Sequence, residues 1–92
     1  MKAEQAQEYA LRAVEWAIID DEGQALFFGA TGLNPEDLRE AALTSDGLIA
    51  VMDFALSQDF LVLSLAEYLE IKPEEVVQVH ASLPGNELPH WT

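Results

Sequence analysis

Two short phrases built around a proline constrain how this chain can fold. Residues 32–38 read GLNPEDL, and residues 70–76 read EIKPEEV. In the first phrase, Gly32 suits the left-handed residue that follows a helix, Asn34 suits an N-cap, and Pro35 suits the first helical position. Apolar residues flank each cap at the spacing of a hydrophobic staple, namely Leu33 with Leu38 and Ile71 with Val76. Each phrase therefore predicts a helix end, a tight turn and a new helix start.

The recurrence of this phrase indicates an internal repeat. Pro73 follows Pro35 by 38 residues (73 − 35). The same offset aligns further apolar positions, namely Trp16 with Phe54, Phe27 with Leu65, and Leu33 with Ile71. We therefore predict a tandem duplication in which residues 9–42 and 47–80 form similar three-helix units. The alternative is that six short, ordinarily capped helices share this register by chance.

Apolar residues recur with helical periodicity between the turn signals. The predicted helices cover about 3–20, 23–31, 35–43, 45–57, 59–69 and 73–83. The sequence therefore predicts an all-α fold, a compact bundle of five to six short helices in one domain over residues 1–85, with residues 86–92 as a loosely ordered tail. The predicted core is Ala13, Val14, Ala17, Ile18, Phe27, Leu33, Leu38, Val51, Met52, Ala55, Leu61, Leu65, Leu69, Ile71 and Val76.

Charge excludes several classes of partner. The chain carries 17 acidic and 4 basic residues, a net charge of −13, and the acids are spread over both halves. Such a surface repels phosphate backbones and anionic lipids, so we expect no nucleic-acid and no membrane partner. No apolar run approaches the roughly 20 residues of a membrane span, and there is no cysteine for a disulfide or thiolate site. We expect a cytoplasmic protein with a solvated acidic shell.

The residues that usually carry chemistry form no recognisable site. His80 has apolar neighbours at helical spacing, which favours a partly buried structural role over metal binding. The acidic turn 20–22 lacks the spacing of a calcium loop and is interpreted as a helix end. We assign no catalytic, cofactor-binding or metal-binding residue and expect no cofactor. The enzyme question stays open, although the pattern favours a non-enzymatic role.

The apolar surplus of the fifth predicted helix indicates an interaction surface. From Phe60 to Leu69 only Ser64 and Glu67 are polar, so this helix is expected to be either the central strut or part of a dimer interface. The candidate protein interface is Trp16, Phe54, Phe60 and Leu63. The partner is expected to be either a second copy of the chain, giving a homodimer, or a basic protein. Two alternative functions stay open: a small-molecule binder or enzyme with an inter-helical pocket, and an acidic mimic of nucleic acid.

Three segments resemble a known family. The segments are ATGLNPEDLR, DFALSQDFLVLSLAEYLEIKPEEV and ASLPG. They are similar to domain of unknown function 3572, a family of short, mainly alphaproteobacterial proteins, and the likeness covers roughly residues 5–85. The resemblance implies a small helical cytoplasmic protein and carries over no catalytic or binding residue. The chain departs from the family pattern at Glu70, where glycine is common, and this bears on the geometry of the second turn.

Overall fold

A computed structural model describes residues 1–86 of the chain, and these residues form six α-helices. The helices are α1 (Ala3–Ile19), α2 (Asp21–Thr31), α3 (Pro35–Ala41), α4 (Ser45–Ala55), α5 (Asp59–Leu69) and α6 (Pro73–Ser82). The all-α prediction is confirmed, and α5 has the predicted bounds. The tail expected over residues 86–92 lies, apart from Asn86, outside the described residues.

The junction between α1 and α2 is tighter than the sequence pattern predicted. A single residue, Asp20, separates the two helices, with φ −72° and ψ 125°. Its carboxylate accepts a hydrogen bond of 2.9 Å from the backbone N–H of Gly23, which caps α2. Helix α2 therefore begins at Asp21, two residues before the predicted start, and the acidic turn 20–22 is a helix cap.

The first proline turn has the predicted local structure. Gly32 has φ 74° and its N–H donates to the carbonyl of Phe28 at 2.8 Å, which ends α2. Asn34 and Asp37 form a reciprocal capping box, with bonds of 2.9 and 3.1 Å, and Pro35 occupies the first helical position. The prediction of a positive φ at Gly32 is confirmed.

The second proline turn repeats this backbone path with different residues. Glu70 has φ 58° and ψ 41°, so a residue with a Cβ occupies the left-handed position filled by Gly32 in the first turn. The backbone N–H of Lys72 donates to the carboxylate of Glu75 at 3.1 Å, as that of Asn34 does to Asp37. Helices α2 and α5 have the same bounds at the 38-residue offset, as do the starts of α3 and α6. The turns are locally equivalent, and the tandem duplication stays a prediction.

Helix α1 is the central element of the bundle. It packs against each of the other five helices, so α1 takes the central position that was one of the two roles expected for the fifth helix. The physical reason is the stripe Ala6, Ala10, Ala13 and Ala17, which is almost completely buried. Small side chains on this stripe let the helices that cover it approach the backbone of α1 closely. The larger apolar side chains of α5 instead fill space between helices.

The core agrees with most of the predicted set. Ile18, Leu33 and Ile71 pack against the core but remain partly exposed, whereas the other predicted core residues are buried. Several residues outside that set are also buried, namely Ala6, Ala10, Trp16, Leu48, Ala66, Val79 and Leu83. Most of these lie on the buried faces of α1, α4 and α6, so the apolar stripes are wider than the sequence pattern indicated.

Trp16 is the main correction to the predicted surface. Its side chain is 1% exposed. The indole N–H donates to Ser64 Oγ at 3.2 Å, and the ring meets Phe27 edge to face with a centroid distance of 5.8 Å. Because the indole is covered by α2 and its one polar group is satisfied by α5, Trp16 belongs to the core and not to an interface.

Candidate interaction surface

Three of the four predicted interface residues are exposed. Phe54, near the end of α4, is 41% exposed, and on α5 Phe60 is 47% and Leu63 is 59% exposed. Phe60 and Leu63 are three residues apart, so they are neighbours on one helix face. We call Phe54, Phe60 and Leu63 the α4–α5 apolar surface. The fourth predicted residue, Trp16, is buried and is not part of it.

Helix α5 divides into a buried side and an exposed side. Its buried residues are Leu61, Ser64, Leu65, Ala66 and Leu69. The exposed residues between Asp59 and Glu70 are Asp59, Phe60, Leu63, Glu67 and Glu70. At 100° per residue the four of these that belong to α5 fall within one sector of about 100°. The outer face of α5 therefore presents two large apolar side chains beside the carboxylates of Asp59 and Glu67, and the exposed Glu70 follows at the C-terminal end of the helix.

Basic residues are missing from the sequence around this surface. Residues 40–71 contain six acidic residues and no lysine or arginine. The nearest cations in sequence are Arg39, before α4, and Lys72, which precedes α6. The α4–α5 region therefore carries only acidic formal charge in sequence, as residues 13–38 also do, and its field is expected to attract cationic groups.

On the α1 side of α5, a polar network surrounds Tyr68. The Tyr68 hydroxyl donates to Glu15 Oε2 at 3.0 Å. The Arg12 guanidinium lies over the Tyr68 ring, 5.9 Å from its centroid, and donates to the Tyr68 carbonyl at 3.5 Å. Loss of hydration raises the pKa of Tyr68 above its usual 10.0, and the bond to the Glu15 carboxylate raises it further. Arg12 is therefore engaged in holding α1 against α5.

Two clefts in the described part of the chain are small and polar. One has a volume of about 220 Å³ and is lined by Asp20, Glu22, Ser64, Glu67 and Tyr68. Another, of about 180 Å³, is lined by Gln5, Glu8, Tyr9 and Arg12. Sites for drug-sized ligands are typically apolar and about 300–1,000 Å³. Among residues 1–86, no group of three or more histidine or acidic side chains is arranged to hold a metal ion.

His80 fastens α6 to α4. Its Nε2 lies 2.5 Å from Asp53 Oδ1, and the imidazole side chain is 23% exposed. Asn86 donates to the His80 carbonyl at 2.8 Å, which holds the chain after α6 against the same residue. The partly buried position agrees with the structural role predicted for His80. Its partner Asp53 was not predicted, because no local signal links residues 27 positions apart.

Across residues 1–86, no individual helix has both the length and the apolar composition that crossing a bilayer requires. Helices α4 and α5 meet that requirement only when taken together, and they are bent by 117° at their junction.

Comparison with known proteins identifies the family but no characterised relative. A search of curated proteins found no significant match, and a search of solved structures also found none. A family model matches residues 3–86, which include all six helices and both proline turns. The chain therefore belongs to the family described as Protein of unknown function (DUF3572).

Proposed function

We propose that this protein is a cytoplasmic protein–protein interaction module that binds its partner through the α4–α5 apolar surface. The observation that carries this proposal is the adjacent pair Phe60 and Leu63, 47% and 59% exposed on one face of a helix. Large apolar side chains that lie together on a surface lower the free energy when another protein removes them from water. The rest of α5 supports the pair rigidly, because its opposite side is anchored in the core.

Isolated exposed apolar residues are common in soluble proteins and need a separate account. Ile19 is 68% exposed as the last residue of α1, and Leu43 is 81% exposed in the turn after α3. Each stands at a helix end. Three further residues are exposed inside helices, without another exposed large apolar residue three or four positions away, namely Leu11, Phe28 and Val77. Phe60 and Leu63 differ because they lie side by side on one helix face, and that arrangement favours a contact surface over chance exposure.

The size of the clefts favours a protein partner over a small molecule. The clefts of about 220 and 180 Å³ are lined largely by charged and polar side chains. A pocket that holds a small ligand is usually larger and mainly apolar. Large apolar side chains outside the core lie on the open surface and not in these clefts. Only a macromolecule has the area to cover several of them at once.

Site-specific photocrosslinking in cells tests this proposal. Leu63 is replaced by p-benzoylphenylalanine, and Gln78, an exposed residue of α6, receives the same group as a matched control. We expect position 63, and not position 78, to give a discrete protein adduct that mass spectrometry identifies. The same protein is expected from position 60. Identical adduct patterns at positions 63 and 78, or no adduct at position 63, would refute the proposed surface.

A further inference from the structure

The charge around the α4–α5 apolar surface allows the partner to be specified further, on the premise that this surface is an interaction site. We infer that it binds an amphipathic helix of another protein whose apolar seam is bordered by lysine or arginine. This goes beyond the proposed function, because it states the chemistry and secondary structure of the partner.

The rim of the α4–α5 apolar surface is acidic. On the exposed side of α5, Phe60 and Leu63 are accompanied by the exposed carboxylates of Asp59 and Glu67, and the exposed Glu70 ends the helix. Within residues 1–86 none of these three carboxylates takes part in a salt bridge. An interface core becomes stable when the polar groups at its rim find complementary charge. A partner that covers the two apolar side chains therefore meets a border that is acidic, and cationic side chains on that partner satisfy it.

Repulsion between like charges disfavours a second copy of this chain as the occupant. A two-fold homodimer interface brings the same patch of each copy together. Two copies meeting through α5 would place Asp59, Glu67 and Glu70 opposite the same three carboxylates. The net charge of −13 on each chain adds a longer-range repulsion. A cationic partner is instead attracted both by these carboxylates and by the net negative charge of the chain.

The shape of the surface favours a helical partner. Phe60 and Leu63 project from a convex helix face, and every regular element among residues 1–86 is a helix. An extended peptide would gain its backbone hydrogen bonds by adding to a sheet edge, which this part of the chain does not offer. A helix instead accepts two side chains spaced by three residues into the grooves between its own ridges, at an axis separation of about 8–10 Å.

Three synthetic helices test the inference. Each has 21 residues and the same leucine seam, and the residues beside the seam are all lysine, all glutamine or all glutamate. Binding of each peptide to the full chain is measured by fluorescence anisotropy. We expect the lysine peptide to bind at least about tenfold more tightly than the glutamine peptide, and the glutamate peptide to bind least. We expect that preference to shrink as salt is raised, because salt screens the exposed charges.

Matched variants locate the binding. Leu63→Ala is expected to weaken lysine-peptide binding about tenfold or more, as loss of a central contact does. Glu67→Gln is expected to weaken it about two- to fivefold and to reduce its salt dependence. Glu36→Gln, which makes the same charge change on an exposed residue of α3, is the control and is expected to leave the affinity unchanged.

The outcomes separate this inference from the proposed function. Equal binding of the lysine and glutamine peptides, lost in Leu63→Ala, would refute the cationic partner and leave the interaction surface intact. Failure of all three peptides to bind would refute the helical partner, while crosslinking at position 63 decides independently whether the surface is used. Sedimentation that shows a dimer of the chain alone, dissociated by Leu63→Ala, would identify a second copy as the occupant and refute the inference.

Discussion

Trp16 and Phe54 are aligned by the 38-residue offset of the predicted repeat and have opposite environments. Trp16 on α1 is 1% exposed, and Phe54 on α4 is 41% exposed. The first turn of α2 approaches Trp16 so closely that a Cβ on Gly23 would lie 2.4 Å from the Trp16 carbonyl oxygen. The residue equivalent to Gly23 at the 38-residue offset is Leu61, which is completely buried.

At these two pairs of aligned positions the large buried side chain lies on different helices. In the first pair it is Trp16 on α1, and Gly23 on α2 leaves room for it. In the second pair it is Leu61 on α5, and Phe54 on α4 is partly in water. Burial at an aligned position is therefore decided by how the helices pack and not by the position alone.

The largest expected effect comes from truncating the two aromatic residues. Trp16→Ala is expected to lower the free energy of unfolding by about 3–5 kcal/mol, because it leaves a cavity in the core. Phe54→Ala, the matched change in the second half, is expected to cost about 1 kcal/mol or less. Urea unfolding of both variants measures the difference. Equal losses would mean that the two positions have the same environment in solution, and the comparison would fail.

The close approach of α2 to Trp16 predicts a glycine-specific effect. Gly23→Ala is expected to destabilise the protein by about 1–3 kcal/mol, because the added methyl group meets the Trp16 backbone oxygen and indole ring. Gly29→Ala in the same helix is the control, since a Cβ there meets nothing within 4 Å. It is expected to stabilise the helix by up to about 1 kcal/mol. Thermal melts in which both variants shift in the same direction would contradict this contact.

The buried hydrogen bond between Trp16 and Ser64 sharpens the comparison, because Phe54 has no polar group to satisfy. Ser64→Ala is expected to cost about 1–2 kcal/mol, since it leaves the buried indole N–H without its acceptor. In a Trp16→Phe background the same serine substitution is expected to cost much less. A double-mutant cycle by urea unfolding measures this coupling, and additive effects of the two substitutions would show that the bond contributes no stability.

The two proline turns have different residues at the left-handed position, Gly32 in the first and Glu70 in the second. Substituting each of them tests how much this difference contributes to stability. Gly32→Ala is expected to cost about 1 kcal/mol, because φ is 74° there. Glu70→Gly is expected to change stability in the opposite direction by up to about 1 kcal/mol, because it removes the strain of a Cβ at φ 58°. Denaturant midpoints of the two single variants provide the measurement. A stabilising Gly32→Ala would show that this residue does not hold the left-handed conformation in solution.

The smallest expected effect is a loss of stability at high pH. Loss of hydration and the Glu15 carboxylate raise the pKa of Tyr68 in the folded protein above 10.0. The unfolded chain therefore releases this proton first, so the stabilisation is present below pH 10 and is lost as pH rises through the folded pKa. Unfolding curves recorded from pH 8 to pH 11 measure the slope. Tyr68→Phe is expected to flatten it, and an unchanged slope in that variant would assign the titration to another group.

Sequence reasoning succeeded where a structural signal lies within a few residues. The left-handed Gly32, the cap at Asn34 and the helix start at Pro35 were all predicted, because side chains and backbone groups only a few positions apart satisfy one another there. The bounds of α5 were also predicted, from its apolar run and the proline turn that follows it. Exposure of Phe60 and Leu63 also followed, since a short helix apolar on every side cannot be covered completely by a chain of this size.

The sequence by itself therefore determined the helical fold class, the caps of the first proline turn, the acidic composition and the family, because each of these depends on local pattern or on composition. Only the tertiary structure decided that α1 is the central helix, that Trp16 is buried while Phe54 is exposed, and that His80 meets Asp53. The physical reason is distance along the chain. Trp16 and Ser64 are 48 residues apart, and His80 and Asp53 are 27 apart, so their contacts depend on how whole helices pack against one another.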